Sequence, residues 1–262
     1  MGGKGSLVQI QSPRPFTFYS LCGSRGKILY MNLSADRNDI AVIIPAFNEE
    51  KRIGEVIEGI RAQGCTLRNI IVVDDGSEDS TAETAASHGV TVIEHGRNRG
   101  KGAALNAGFR KASENPDLAA VITLDADGQH NPVFIPEFIR VFRETGAEII
   151  IGSRMHDINN MPLIRKLTNK TTSAVISARV GSRITDSQSG YRLISLELLK
   201  RFAGMESSHY DAESEILIRA GRSGSSIIEI PIDTIYRDEK SSINPFIDTL
   251  RFILLVVRSY FW

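Results

Sequence analysis

From Ile40 onward the chain alternates short apolar runs with longer stretches whose apolar residues recur every three to four positions. The runs Ile40 to Ile44, Ile70 to Val73, Thr91 to Glu94, Val121 to Leu124 and Glu148 to Ile151 are rich in Val and Ile and bounded by polar or turn residues, so they predict strands. Between the first two, Ile53, Val56, Ile57 and Ile60 fall at i, i+3, i+4 and i+7, the spacing that lines up side chains on one helix face. Ser80 to His88, Ala103 to Ser113 and Pro132 to Thr145 predict the next helices. Strand and helix in turn make a βαβ series, which implies an α/β fold built on a mostly parallel sheet flanked by helices.

After Gly152 the alternation weakens. Leu163 to Arg179 predicts a helix, TDSQSGYR reads as a loop, the segments near Leu196 and Ala212 read as helices, and IIEIPIDTIY reads as a strand. In the closing NPFIDTLRFILLVVRSYFW, Asn244 suits a helix cap and Pro245 the first turn. Arg251 and Arg258 share a face there, while Phe252, Leu255, Val256 and Trp262 lie largely elsewhere. That pattern suits a helix lying in a membrane interface, or one docked on the protein core. The expected organisation is therefore a single domain over 39–243, an amphipathic helix over 244–262, and an N-terminal extension over 1–38. Residues 1–35 show no steady periodicity, and MGGKGS fits a myristoylation pattern or a plain flexible tail. The extension is expected to take no part in the chemistry.

Composition narrows the function classes. The 31 basic and 31 acidic side chains cancel, which argues against bulk nucleic-acid binding. Cys22 and Cys65 form neither a CxxC pair nor zinc spacing. The charge-free apolar run near the C-terminus, Phe252 to Val257, is far short of the roughly 20 residues a membrane span requires.

Three polar clusters follow expected strands: PAFNEE (Pro45 to Glu50), DDGSEDS (Asp74 to Ser80) and DADGQ (Asp125 to Gln129). In open α/β sheets ligands bind beyond the carboxyl ends of the strands, so the three converge on one rim. Taken singly, each reads equally as a turn or a helix start; their common placement points to a site. Neither GxGxxG nor a P-loop is present. NRGKGAA (Asn98 to Ala104) sets glycines and Lys101 at a helix start, where backbone N–H groups and a cation can meet anionic oxygens. If the strand continued through Asp125 and Asp127, their carboxylates would share a face and call for a cation between them. Two carboxylates beside a diphosphate suit Mg2+ or Mn2+, whose shell is completed by water and substrate phosphate.

IIPAFNEE, VVDDGSEDST, the DAD carboxylates and DSQSGYR together resemble family 2 glycosyltransferases of the GT-A (Rossmann-like) fold, most closely the dolichol-phosphate mannosyltransferase-like branch, over about residues 39 to 245. The resemblance implies that Pro45, Asn48, Glu49 and Asp75, with Asp125, Ala126 and Asp127, hold a nucleotide-sugar such as GDP-mannose or UDP-glucose. It implies that Asp125, Asp127 and Gln129 hold the metal, and that Arg154 of GSR and Arg165 of MPLIRK grip the phosphate of a polyprenyl-phosphate acceptor. Asn169 stands where some relatives carry serine. From the residues themselves, Arg154 and Arg165 can fork onto phosphate oxygens, or read equally as solvated or as partners of Asp157 or Glu148. Asp186 and Gln188 are candidates for sugar or acceptor contacts or for a turn, and Arg237 and Lys240 for diphosphate or lipid headgroups or a solvated loop. The implied activity is inverting, metal-dependent transfer of a hexose, mannose or glucose, to a polyprenyl (dolichyl-type) phosphate by a peripheral enzyme at the cytoplasmic membrane face. A soluble or polysaccharide acceptor is the alternative within the family. A non-catalytic nucleotide-sugar-binding or membrane-adaptor domain is the alternative from another class.

Overall fold

Seven strands form one sheet: β1 (Ile40–Ala46), β2 (Ile70–Asp74), β3 (Thr91–Glu94), β4 (Ala120–Thr123), β5 (Ile149–Ser153), β6 (Arg192–Ser195) and β7 (Ile227–Pro231). The computed structural model describes residues 37–155, 163–202, 212–233, 235 and 245–261, all within the unit Asp36–Trp262. The strand order is β3-β2-β1-β4-β6-β5-β7, parallel except for β6, which runs against both β4 and β5. All five strands expected before Gly152 are present, and IIEIP of the sixth expected strand forms β7. The addition is β6. It has four residues, RLIS, and a helix begins at the next position, too short a span for alternation to declare itself.

Eight helices are described: α1 (Ile53–Ala62), α2 (Thr81–Ser87), α3 (Lys101–Ser113), α4 (Ile135–Thr145), α5 (Leu163–Val180), α6 (Leu196–Arg201), α7 (Ala212–Arg222) and α8 (Pro245–Arg258). β1 is buried on both sides, which is why its sequence is a continuous apolar run. Ile40, Val42, Ile44 and Ala46 face α1, α2 and α4, where Ile53, Val56, Ile57 and Ile60 supply the expected helix stripe. Ala41 and Ile43 face the other layer, to which α3 and α5 through α8 contribute.

The C-terminal helix is docked. Leu255 is 2% exposed within the second core layer and Phe252 packs beside it. Arg179, in the last turn of α5, donates Nε to Ser259 Oγ (3.1 Å) and Nη2 to the Ser259 carbonyl (2.7 Å), and its guanidinium lies 3.9 Å over the Tyr260 ring. Leu250, Ile253, Leu254 and Val257 face outward, about half exposed, with Phe261 beyond them. The outward apolar set therefore differs from the one the sequence suggested: Leu255 and Phe252 turn to the core, and Trp262 lies outside the described residues. Among the described residues no helix is long and apolar enough to cross a membrane.

Helix α3 lies close on β1 because Gly108 has no side chain: a Cβ there would sit 2.4 Å from Ile43 Cγ2. Gly108→Ala should lower unfolding stability by up to about 2 kcal/mol, an overpacking cost of about 1–3 kcal/mol less a helix-propensity gain of about 1 kcal/mol. Urea denaturation of parent and variant measures the difference.

Candidate active site

Six parallel strands end on one rim, and β6, running the other way, begins there. The rim thus collects the segments after β1, β2, β3, β4, β5 and β7 together with the one that precedes β6. The first two loops are tied together. Asn48, held at φ 57°, donates its backbone N–H to Ser77 Oγ (2.9 Å) and accepts from the Glu78 backbone amide at Oδ1 (2.9 Å). The Glu49 amide donates to Thr81 Oγ1 (2.8 Å), the Glu50 amide to Asp79 Oδ2 (3.2 Å), and the Ser80 amide to Glu50 Oε2 (3.2 Å). Pro45 sits opposite Val73 in the β1–β2 ladder. The Asn48 side chain thus ties loop to loop.

Asp75 organises the third loop. Its carboxylate, almost fully buried, accepts from His95 Nδ1 (2.6 Å), the Arg99 amide (3.1 Å to both oxygens) and the Gly100 amide (2.7 Å). These bonds fix the backbone that leads into α3, whose first residue is Lys101.

The Lys101 ammonium lies between two carboxylates, 2.7 Å from Asp125 Oδ1 and 2.8 Å from Glu213 Oε1 in the first turn of α7. Burial works against the lysine's charge, but the two carboxylates overcome it and raise its pKa above the ordinary lysine value. Burial would raise the Asp125 pKa; the Lys101 ammonium dominates and brings it down to about 2. Behind Asp125, His130 is buried and its pKa falls to about 4, chiefly through desolvation. The Asp125 amide donates to His130 Nδ1 (3.2 Å), which requires that nitrogen to be unprotonated and agrees with a neutral ring. Gly190 closes the group: a Cβ there would lie 2.8 Å from Lys101 Nζ and 2.9 Å from Glu213 Oε1.

The strand-end geometry expected for the DAD carboxylates is replaced by a turn. β4 stops at Thr123, and Ala126 to Gly128 bend, with Gly128 at φ 72° and the Gln129 amide bonded to Asp127 Oδ1 (2.9 Å). Ala126 is buried, while Asp127 and Gln129 stay partly open. Among the described residues no three His, Cys, Asp or Glu side chains close around one point. An all-protein cage is therefore absent there. Two rim carboxylates with an open side do fit Mg2+ or Mn2+, which take few protein ligands and complete their shell with water and phosphate.

After β5, Arg154 is held by Asp186. The carboxylate accepts from Arg154 Nε (2.8 Å), Nη2 (2.8 Å) and backbone N (3.0 Å), and from Asn169 Nδ2 (2.8 Å). Asp186 is fully buried, so its partners are Arg154 and Asn169, whereas Gln188 is exposed. Arg165 falls in the first turn of α5, with its side chain outside the described residues; Asp157, Arg237 and Lys240 lie outside them altogether. Arg192, also fully buried, donates to the carbonyls of Ser187 (2.7 Å), Ser189 (2.7 Å) and Glu213 (2.6 Å), joining the DSQSG loop to α7. His130, Gly190 and Arg192 were not singled out from sequence. Gly190 and Arg192 lie within DSQSGYR, which in sequence reads only as a loop; His130 follows DADGQ with nothing to set it apart from a loop histidine.

The glycosyl transferase family 2 model matches residues 41–202. A UDP-N-acetylglucosamine–dolichyl-phosphate N-acetylglucosaminyltransferase of Methanococcus voltae is 36% identical over 221 residues, covering 76% of this chain and 86% of that protein. A dolichyl-phosphate hexose transferase of Haloferax volcanii is 30% identical over 210 residues, covering 80% and 88%. Among solved structures, a glucosyl-3-phosphoglycerate synthase of Mycobacterium tuberculosis in complex with Mn2+, UDP and phosphoglyceric acid superposes with a TM-score of 0.66 at 22% identity, covering 87% of this chain and 80% of that one.

Asp186→Asn tests the Arg154 clamp. Breaking a buried ion pair should cost about 3 kcal/mol, the low end for such pairs because Arg154 remains partly open to water. Burial would raise the Asp186 pKa, but its bonds with Arg154 lower it below the ordinary carboxylate value. A depressed folded-state pKa means that the stabilisation is complete above the unfolded carboxylate pKa of about 3.9 and is lost as pH falls through the folded value. The gap between parent and variant in denaturant titrations should therefore be constant near neutrality and close below about pH 4.

Proposed function

The chain belongs to glycosyl transferase family 2, and from that premise we propose that it transfers a hexose from a nucleotide-sugar to a polyprenyl phosphate, with inversion and with Mg2+ or Mn2+ as cofactor. One observation supports this reading: on one rim the Asp125 carboxylate is paired with Lys101, Asp127 follows two residues on in the turn after β4, and a guanidinium, Arg154, stands after β5. The names of the Methanococcus and Haloferax relatives support a lipid phosphate as acceptor. The donor is GDP-mannose, UDP-glucose or a related nucleotide-sugar.

A phosphate monoester has its second pKa near about 6, so the attacking oxygen is already mostly ionised at neutral pH and needs no protein base. Glu213 fits that economy, since its carboxylate is engaged with the Lys101 ammonium. The protein's task is to position two anionic substrates and offset their repulsion. Asp75 fixes the loop that delivers Lys101, and Arg154 with Arg165 meets the acceptor phosphate through forked hydrogen bonds. Asp125, Asp127 and Gln129 would hold the metal, which when bound supplies positive charge against the departing nucleoside diphosphate. The outward face of α8, Leu250, Ile253, Leu254, Val257 and Phe261, flanked by Arg251 and Arg258, rests in the membrane interface where the lipid acceptor lies.

Incubating the protein with a panel of nucleotide-sugars and one short polyprenyl phosphate should give labelled, butanol-extractable product with one donor. Label that passes only to soluble or polysaccharide acceptors would overturn the lipid assignment. Asp127→Asn should abolish transfer and weaken Mn2+ binding in the presence of nucleoside diphosphate, read by electron paramagnetic resonance, with the melting temperature unchanged or raised by relief of carboxylate repulsion. Retained turnover at saturating metal would remove Asp127 from the metal site. Leu254→Glu with Val257→Glu should reduce co-sedimentation with anionic phospholipid vesicles by about tenfold or more, since each apolar side chain withdrawn from the interface forfeits roughly 1.5–3 kcal/mol at full burial.

A further inference from the structure

Behind the Arg154 clamp stands a second carboxylate, partly buried and bonded to residues 185 and 186. Glu229 lies on β7, at the edge of the sheet, in the otherwise apolar run IIEIP. Its carboxylate accepts from the Thr185 amide (2.9 and 3.0 Å), the Thr185 hydroxyl (2.9 Å) and the Asp186 amide (3.0 Å). Thr185 Oγ1 is also 2.9 Å from Ser153 Oγ, at the residue before Arg154. The strand does not depend on this carboxylate for its place, because the β5–β7 ladder runs unbroken from Ile149↔Ile227 to Ser153↔Pro231. A partly buried carboxylate in such a strand is unfavourable unless its hydrogen bonds are filled, and here all of them go to residues 185 and 186.

We propose that Glu229 is a positioning residue for the acceptor phosphate. It fixes the backbone at 185 and 186, Asp186 is thereby held under Arg154, and the guanidinium is presented in one orientation. The inference rests on Arg154 as an acceptor-phosphate contact. A forked contact to phosphate is sensitive to the plane of the guanidinium, so loosening that plane weakens binding without removing any contacting group. Asn169 braces the other side: it donates to Asp186 and accepts from Ser173 Oγ (3.0 Å), which in turn reaches Ser187 Oγ (3.0 Å).

The experiment is a double-mutant cycle on the full chain with Glu229→Gln, Glu229→Ala and Arg154→Ala, read as acceptor KM for a short polyprenyl phosphate and as donor Kd by calorimetry with the nucleoside diphosphate. Glu229→Ala should raise the acceptor KM by about tenfold, Glu229→Gln less because one carbonyl oxygen remains, and donor Kd should stay within about twofold; contacting residues in one network couple by this order. With Arg154→Ala already in place, Glu229→Ala or Glu229→Gln should add nothing further. An additive effect, or an equal loss of donor affinity, would show a merely structural carboxylate and overturn the proposal. If Glu229→Ala fails to fold, Glu229→Gln carries the cycle. An independent arm follows hydrogen exchange of the Arg154 Nε–H by NMR. Exchange should quicken in Glu229→Gln, and unchanged protection overturns the relay whatever the acceptor proves to be. Failure of the acceptor reading is distinguishable: Arg154→Ala would then leave acceptor KM unaltered while the Nε–H still responds to Glu229→Gln.

Discussion

One buried ammonium holds the two halves of the site together. Lys101 opens α3, Asp125 follows β4 and Glu213 lies in the first turn of α7, and the lysine bonds both carboxylates at 2.7 and 2.8 Å. Two carboxylates so near each other repel, and a buried charge is tolerated only when paired and hydrogen-bonded. The ammonium offsets that repulsion, and it holds Asp125 ionised while Asp125 and Glu213 together hold the lysine charged. The same constraint reaches Gly190, where any side chain would collide with the ammonium and with Glu213.

Around that pair the rim is organised by side chains bonding to backbone. Asp75 gathers the amides of Arg99 and Gly100, Arg192 gathers three carbonyls, and Glu229 gathers the amides of Thr185 and Asp186. Loops would otherwise carry unmet polar groups into a partly buried surface, and each such group is costly. Satisfying them with buried charged groups also makes the loops stiff. A transferase site benefits from that stiffness, because the orienting groups need not be ordered when the substrates arrive. Lys101 is paired with Asp125 and Glu213, and Arg154 with Asp186, so these charges are already partnered within the rim.

Much of the fold was legible because its signals are local. A strand buried on both sides must be a continuous apolar run, and β1 and β2 are. Helix α1 had to carry a stripe to pack on the sheet, and its four isoleucine and valine positions are the ones buried. The breaks have equally specific causes. β6 is too short to show a period, and its first residue is a charged one whose burial depends on carbonyls from elsewhere. The DAD segment leaves the strand after Thr123 and turns through Gly128, which the alternation of Asp, Ala and Asp conceals. In α8 both sides are apolar, so the sequence could identify an amphipathic helix without telling whether Leu255 or Leu254 faces the core; Arg179 and Ser259 settle that by pinning its end.

By itself the sequence determined which polar segment follows which strand, since each motif is contiguous with the run that precedes it. It thereby determined that PAFNEE, DDGSEDS and DADGQ share one rim of a parallel sheet. Only the tertiary structure decided which side chains meet on that rim. Lys101 with Glu213, Arg154 with Asp186 and Glu229 with Thr185 are all pairs between distant segments. Their encounter follows from strand order and from the reversed direction of β6, which brings the residues before that strand, not those after it, to the site. Periodicity reports which face of an element is buried. It carries no information about which neighbour an element takes in the sheet or in which direction it runs, and those choices are made by the packing of the whole.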